Sequence, residues 1–106
     1  MCIRDSNRAL GMVKQWQDMQ YGGRYSSISY EDSLPDFVKL AESFGHVGLK
    51  VEKFSELNAA MEEAFSLKDK LVFLDVLIDP DEHVYPMLEA GGSMSEMRIS
   101  KKDKTF

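Results

Sequence analysis

Leu71-Val-Phe-Leu-Asp-Val-Leu-Ile78 is a nearly continuous apolar run, closed at once by Asp79-Pro80. It lacks the in-out alternation of a strand with one wet face, and its branched composition suits a parallel strand covered on both sides. A parallel strand is reached through a crossover, and the preceding residues supply one. Leu57, Ala60, Met61, Ala64, Phe65 and Leu67 recur at helical spacing, while Glu56, Glu62, Glu63 and Lys68 take the other side and Ser55 stands where a cap is needed. Before that helix, His46-Val-Gly-Leu-Lys-Val51 reads as a short strand. Strand, helix, strand predicts a right-handed crossover unit.

Further back, Ser33-Leu-Pro-Asp36 has the composition of a helix entrance: Ser and Asp can accept from free backbone N–H groups, and Pro is tolerated in a first turn. Phe37, Val38, Leu40, Ala41 and Phe44 then keep helical spacing, and Gly45 offers the left-handed residue that stops a helix. The fold class is therefore α/β, a parallel sheet with flanking helices. Two strands are too few to bury two apolar faces, and no third strand stands out. The pattern thus predicts an incomplete portion of a larger domain, with residues 83–97 an irregular, Gly-containing tail.

The charge balance of 13 basic against 18 acidic residues, net -5, argues against a protein that grips nucleic acid through phosphates. Arg98, Lys101, Lys102 and Lys104 read as a solvated, frayed terminus. The single cysteine, Cys2, cannot form an internal disulfide, as expected of a reducing, cytoplasmic setting. No apolar run approaches the roughly 20 residues needed to span a bilayer, so no membrane partner is expected. Met1-Cys-Ile-Arg-Asp-Ser6 lacks the apolar core of a signal peptide. His46 and His83 have no second ligand at helical spacing and read as structural. Asp79, Asp81 and Glu82 lack the alternating oxygens of a calcium loop and read as a solvated turn.

The opening segment carries the chemistry. "NRALGMVKQWQDMQYGGRYS", "LPDFVKLAESFGHVGLKVE" and "LVFLDVLIDPDEHVYPMLEAGGSMSEM" together resemble the C-terminal end of the acetolactate synthase (acetohydroxyacid synthase) catalytic subunits, within the thiamine-diphosphate enzyme family. The pairing of GMV with QWQ, and of HVYPM with a following GG, is specific to those enzymes. The resemblance covers residues 7–97. It implies three stretches: a non-native leader over residues 1–6, the C-terminal portion of a thiamine-diphosphate-binding domain over 7–97, and a polar tail over 98–106.

In that family the cofactor motif opens with Gly-Asp-Gly and closes with paired asparagines. Asn7 matches the second asparagine, whereas Ser6 stands in place of the first, and the Gly-Asp-Gly half is absent. The resemblance implies that the Asn7 side-chain carbonyl and the Ala9 backbone carbonyl ligate Mg2+, and that Gly11 and Met12 border the thiamine diphosphate. Magnesium takes hard oxygens and keeps few protein ligands, so a neutral amide suits a site rich in phosphate charge. Read without the resemblance, Asn7 is a helix cap before the following residues rather than a ligand. The resemblance further implies that Met12, Val13, Trp16 and Ala90 line the substrate channel, with Trp16 influencing the choice of second 2-oxo acid. On spacing alone Met12, Val13 and Trp16 are an ordinary buried helix face.

The function implied by the resemblance is that of a partial chain of a carboligase, one that joins pyruvate, with loss of CO2, to pyruvate or 2-oxobutyrate in branched-chain amino-acid synthesis. No catalytic residue of that family falls in this chain, which is expected to be inactive alone. FAD would be bound elsewhere in the parent. The parent's partners would be a second or further copies, as homodimer or homotetramer, and a regulatory small subunit, in the bacterial cytoplasm or a plant or algal plastid. Two alternatives stay open: another thiamine-diphosphate enzyme, such as glyoxylate carboligase or a pyruvate oxidase, and a non-catalytic α/β interaction module.

Overall fold

The structure, a computed structural model, describes residues 1–100 and 102. The chain divides into two units, one made of Met1–Ala9 with Ser29–Pro80, the other of Leu10–Ile28 with the segment from Asp81 onward. Lys101 and Lys104, assigned above to a solvated tail, lie outside the described residues.

The first unit holds a three-stranded parallel sheet of order β1-β3-β2, with β1 at Cys2–Ser6, β2 at Val47–Val51 and β3 at Val72–Leu77. The α/β class and the parallel sheet are as expected. The expectation that no third strand exists is overturned: Cys2 pairs with Phe73 and so on to Ser6 with Leu77, and the stretch set aside as a leader is part of the sheet. Its polar Arg4-Asp5-Ser6 hid it, because charged residues are rare in doubly covered strands. β3 is central, and Val72 and Leu74 are its fully buried side chains, each worth about 1.5–3 kcal/mol on burial.

Two helices, α2 at Phe37–Ser43 and α3 at Leu57–Ser66, pack against β2 and β3. Asp36 caps α2 as anticipated, its carboxylate accepting the Lys39 N–H at 3.1 Å, and Gly45 ends the turn in the left-handed region at φ 75°. α2 lies so close to β2 that a β-carbon on Gly48 would meet Val38 Cα at 2.6 Å, so glycine is required there. Phe37 stacks on Phe73 of β3 at 6.0 Å between ring centroids, and the Arg4 guanidinium sits 4.1 Å over the Phe37 ring.

Ser55 does not cap α3. A 3-10 turn over Phe54–Glu56 precedes the helix, and Glu56 instead accepts the N–H groups of Glu52 and Lys53 at 3.0 and 3.1 Å. The apolar face of α3 is only partly covered: Ala64 is buried, Leu57, Ala60, Met61 and Leu67 are half-buried, and Phe65 is exposed.

The second unit contains α1, Gly11–Tyr21, ended by Gly22 in the left-handed region. Within residues 83–97, expected to be an irregular tail, the stretch from Met87 onward is closed into a loop. Met87 and Arg98 exchange backbone hydrogen bonds of 2.8 and 2.9 Å across its neck, and a 3-10 turn spans Met94–Glu96. Arg98 also pairs with Glu89, so it belongs to the loop rather than to a solvated tail. Among the described residues no helix is long and apolar enough to cross a membrane.

Candidate functional site

In the first unit the predicted metal-binding residues sit where β1 runs out. Ser6 Oγ donates to the buried Asp75 carboxylate on the neighbouring strand, and the chain then turns sharply. The Asn7 Oδ1 accepts the Ala9 N–H at 3.2 Å, Arg8 takes φ 56°, and Arg8 O accepts from Tyr30 N–H at 3.0 Å. A positive φ on a residue with a β-carbon costs about 1–3 kcal/mol and is held only where neighbours fix it. The cap reading of Asn7 falls: the residue before α1 is Leu10, with no side-chain cap, and the amide serves its own turn instead.

Ligands of open parallel sheets bind beyond the carboxyl ends of the strands, and the Asn7 to Ala9 turn lies at that end of β1. A cavity of about 550 Å³ opens there, lined by Ser6, Arg8, Phe37, Lys50 and Asp75 among others; Arg8 reaches it, while Asn7 and Ala9 are not in its lining. Asn7 and Ala9 are thus brought together by a hydrogen bond. The oxygens they offer are neutral and hard, a donor set that fits magnesium. Among the described residues no three His, Cys, Asp or Glu side chains gather as a metal cluster.

In the second unit, α1 reverses the usual helix pattern. Met12 and Val13 are 47% and 43% exposed, Trp16 is half-buried, and the buried side chains are Lys14 and Gln15. The reading of Met12, Val13 and Trp16 as an ordinary buried face is therefore corrected. An accessible apolar edge is what a channel wall needs. Gly11 opens the helix, and Ala90 is exposed in the loop closed by Met87 and Arg98.

The buried side of α1 carries a polar network that the sequence pattern does not announce. Lys14 Nζ donates to the Asp81 carboxylate, to Tyr25 Oη at 3.0 Å and to Asp18 Oδ2 at 3.3 Å. Tyr25 donates to Asp18 at 2.5 Å, and His83 Nε2 is 2.8 Å from the same Asp18. Burial works against the charged ammonium, yet hydrogen bonds to Asp81, Tyr25 and Asp18 hold the Lys14 pKa above the usual lysine range. Burial pushes the Asp18 carboxyl up, but hydrogen bonds from Tyr25 and Lys14, with the charge of Lys14 and that of His83, leave it below the usual carboxylate range. Asp81 is consequently an anchor, not part of a merely solvated turn. The Lys14 and Asp18 spacing of i and i+4 was the one available signal, and such pairs are usually surface pairs.

Gln15 completes the network. Its Nε2 donates to Val84 O and its Oε1 accepts from Val84 N–H, both at 2.8 Å. Gln17, two residues on, does the same to Ser26, at 3.2 and 3.0 Å.

Residues 3–76 match the family described as thiamine pyrophosphate enzyme, C-terminal TPP binding domain. The chain belongs to this family. It is 58% identical over 96 residues to the acetolactate synthase large subunit of Haemophilus influenzae, and 54% identical over 107 residues to the acetolactate synthase isozyme 3 large subunit of Escherichia coli. A more distant relative, the acetolactate synthase large subunit of Corynebacterium glutamicum, is 38% identical over 98 residues. These matches take in 91%, 99% and 90% of this chain but only 17%, 18% and 16% of the relatives' own length.

Proposed function

We propose that this chain supplies the end of the cofactor-binding domain of an acetolactate synthase catalytic subunit, and with it part of the channel through which the acceptor 2-oxo acid arrives. The observation that carries the reading is α1: its apolar edge of Met12, Val13 and Trp16 is left accessible while its buried side is polar. The GMV and QWQ motifs on that helix, and the identity to named large subunits, support the same assignment.

The parent reaction would join pyruvate to a second pyruvate, or to 2-oxobutyrate, with release of CO2. Thiamine diphosphate supplies the carbanion chemistry, and the protein supplies binding, orientation and shape. Asn7 Oδ1 and Ala9 O would hold Mg2+ near the diphosphate, with water and residues outside this chain supplying further oxygens. Asn7 is oriented for this by the Ala9 N–H it already accepts, and a carbonyl oxygen keeps a second lone pair for the metal. Trp16, rigid and half-buried, would select the acceptor by shape, since one methylene in an apolar pocket is worth about 1–3 kcal/mol. The parent would bind FAD outside this segment, assemble as a dimer or tetramer with a small subunit, and work in the cytoplasm. The chain alone would not turn over.

A chimera tests the reading. This chain replaces the matching 96 residues of the Haemophilus influenzae large subunit. The chimera is expected to form 2-acetolactate from pyruvate, and Asn7→Ala in it should weaken magnesium-dependent thiamine diphosphate binding about tenfold or more, read by calorimetric titration. A folded, cofactor-binding chimera that makes no acetolactate defeats the assignment. Unchanged cofactor affinity in the Asn7→Ala form removes Asn7 as a ligand.

A further inference from the structure

Gln15 is 1% exposed, yet it is a polar side chain on a helix whose apolar residues face outward. Its position demands a reason, because an unpaired buried amide would cost about 1–3 kcal/mol. The reason is Val84: the carboxamide presents one donor and one acceptor, the same complement as a peptide group, and both are used at 2.8 Å. Nε2 also lies 2.9 Å from Met87 Sδ. Gln17 makes the equivalent pair with Ser26. Residues two apart on a helix point about 200° from one another, so the two glutamines leave on opposite sides with Trp16 between them.

We propose that the Gln-Trp-Gln motif is a positioning device, in which Gln15 pins Val84, and through it the loop carrying Ala90, to the helix that carries Trp16. Gln15 itself touches no substrate. It fixes the register of the segment that shapes the acceptor channel. The contacts just before Val84, Lys14 paired with Asp81 and His83 against Asp18, supply attraction but little register, since charges tolerate sliding. A two-point amide pair selects one peptide. The hold passes onward through Met87, whose backbone bridge to Arg98 closes the loop that includes Ala90.

This inference rests on the acceptor-channel reading, and the test separates the two. In the chimera described above, Gln15→Met keeps the length of the side chain and removes both hydrogen bonds. Amide hydrogen exchange at Val84 and across the loop is expected to rise, and the ratio of products from competing pyruvate and 2-oxobutyrate is expected to shift about tenfold through the acceptor KM, with thiamine diphosphate affinity unchanged. Gln17→Ala, at a half-buried position, is expected to shift the ratio less. Should Gln15→Met fail to fold, Gln15→Glu, which keeps the acceptor for Val84 N–H and loses the donor, is read in the same way. Unchanged exchange at Val84, an unchanged product ratio, or an equal loss of cofactor and acceptor binding overturns the proposal. If the unsubstituted chimera makes no acetolactate, the channel reading fails, and unchanged exchange at Val84 still decides against Gln15 by itself.

Discussion

β3 and α1 each place side chains out of water, but with opposite chemistry. In β3 the most deeply buried groups are Val72 and Leu74, held by area removed from solvent and by neighbours on both sides, with the single buried carboxylate, Asp75, paired to Ser6. In α1 the buried side chains are Lys14 and Gln15, held by directed bonds to Asp81, Tyr25, Asp18 and Val84. Apolar burial is tolerant of shape and indifferent to pH. A polar network fixes one arrangement and fails as a unit when a member is lost. A helix edge left open contributes little burial to stability, and α1 packs through its polar side instead.

The contrast can be broken most severely at β3. Leu74→Ala should destabilise the sheet unit by about 2–5 kcal/mol, seen as a lower midpoint in urea by circular dichroism, because the site is enclosed and cannot collapse fully. Next is Gly48→Ala, where the new β-carbon lies 2.6 Å from Val38 Cα; a loss of about 1–3 kcal/mol is expected in the same assay.

Lys14→Met probes the other side of the contrast. About 1–2 kcal/mol should be lost locally, as faster amide exchange from Asp81 to Met87, with exchange in β3 unchanged. If β3 loosens equally, the two regions do not differ in this way.

Titration sharpens the comparison further. Asp18 has a lowered pKa, so its contribution is present above the unfolded value of about 3.9 and is lost as pH falls through the folded one. Lys14 has a raised pKa, so its contribution is present below the unfolded value of about 10.4 and is lost as pH rises through the folded one. Exchange protection at Val84 should therefore fall in acid and again in strong base, while β3 protection follows global stability. The smallest effect is expected at Phe54, 92% exposed, where Phe54→Ser should change the stability of this chain by about 0.5 kcal/mol or less.

The parts legible in the sequence are those that come from hydrophobic period. β3, β2, α2 and α3 are all legible to within a residue or two, because apolar spacing reports burial directly. β1 is not, since Arg4, Asp5 and Ser6 interrupt any apolar run, and its pairing with β3 comes from backbone bonds that leave no pattern in side chains. The polar side of α1 is invisible for a related reason. Lys14, Gln15 and Asp18 look like a solvated face, and only the return of Asp81, His83 and Val84 turns that face inward. Asn7 is legible as a ligand only through resemblance, and its turn with Ala9 removes the competing cap reading. Met12, Val13 and Trp16 have the spacing of a core, yet Met12 and Val13 are exposed and Trp16 is only half-buried, which spacing does not report.

The central claim is that α1 offers its apolar edge to the acceptor, with Trp16 as the selecting side chain. Competition between pyruvate and 2-oxobutyrate in the chimera, with and without Trp16→Leu, tests it most directly. A product ratio shifted by about tenfold with unchanged thiamine diphosphate affinity is the predicted result; an unchanged ratio contradicts it.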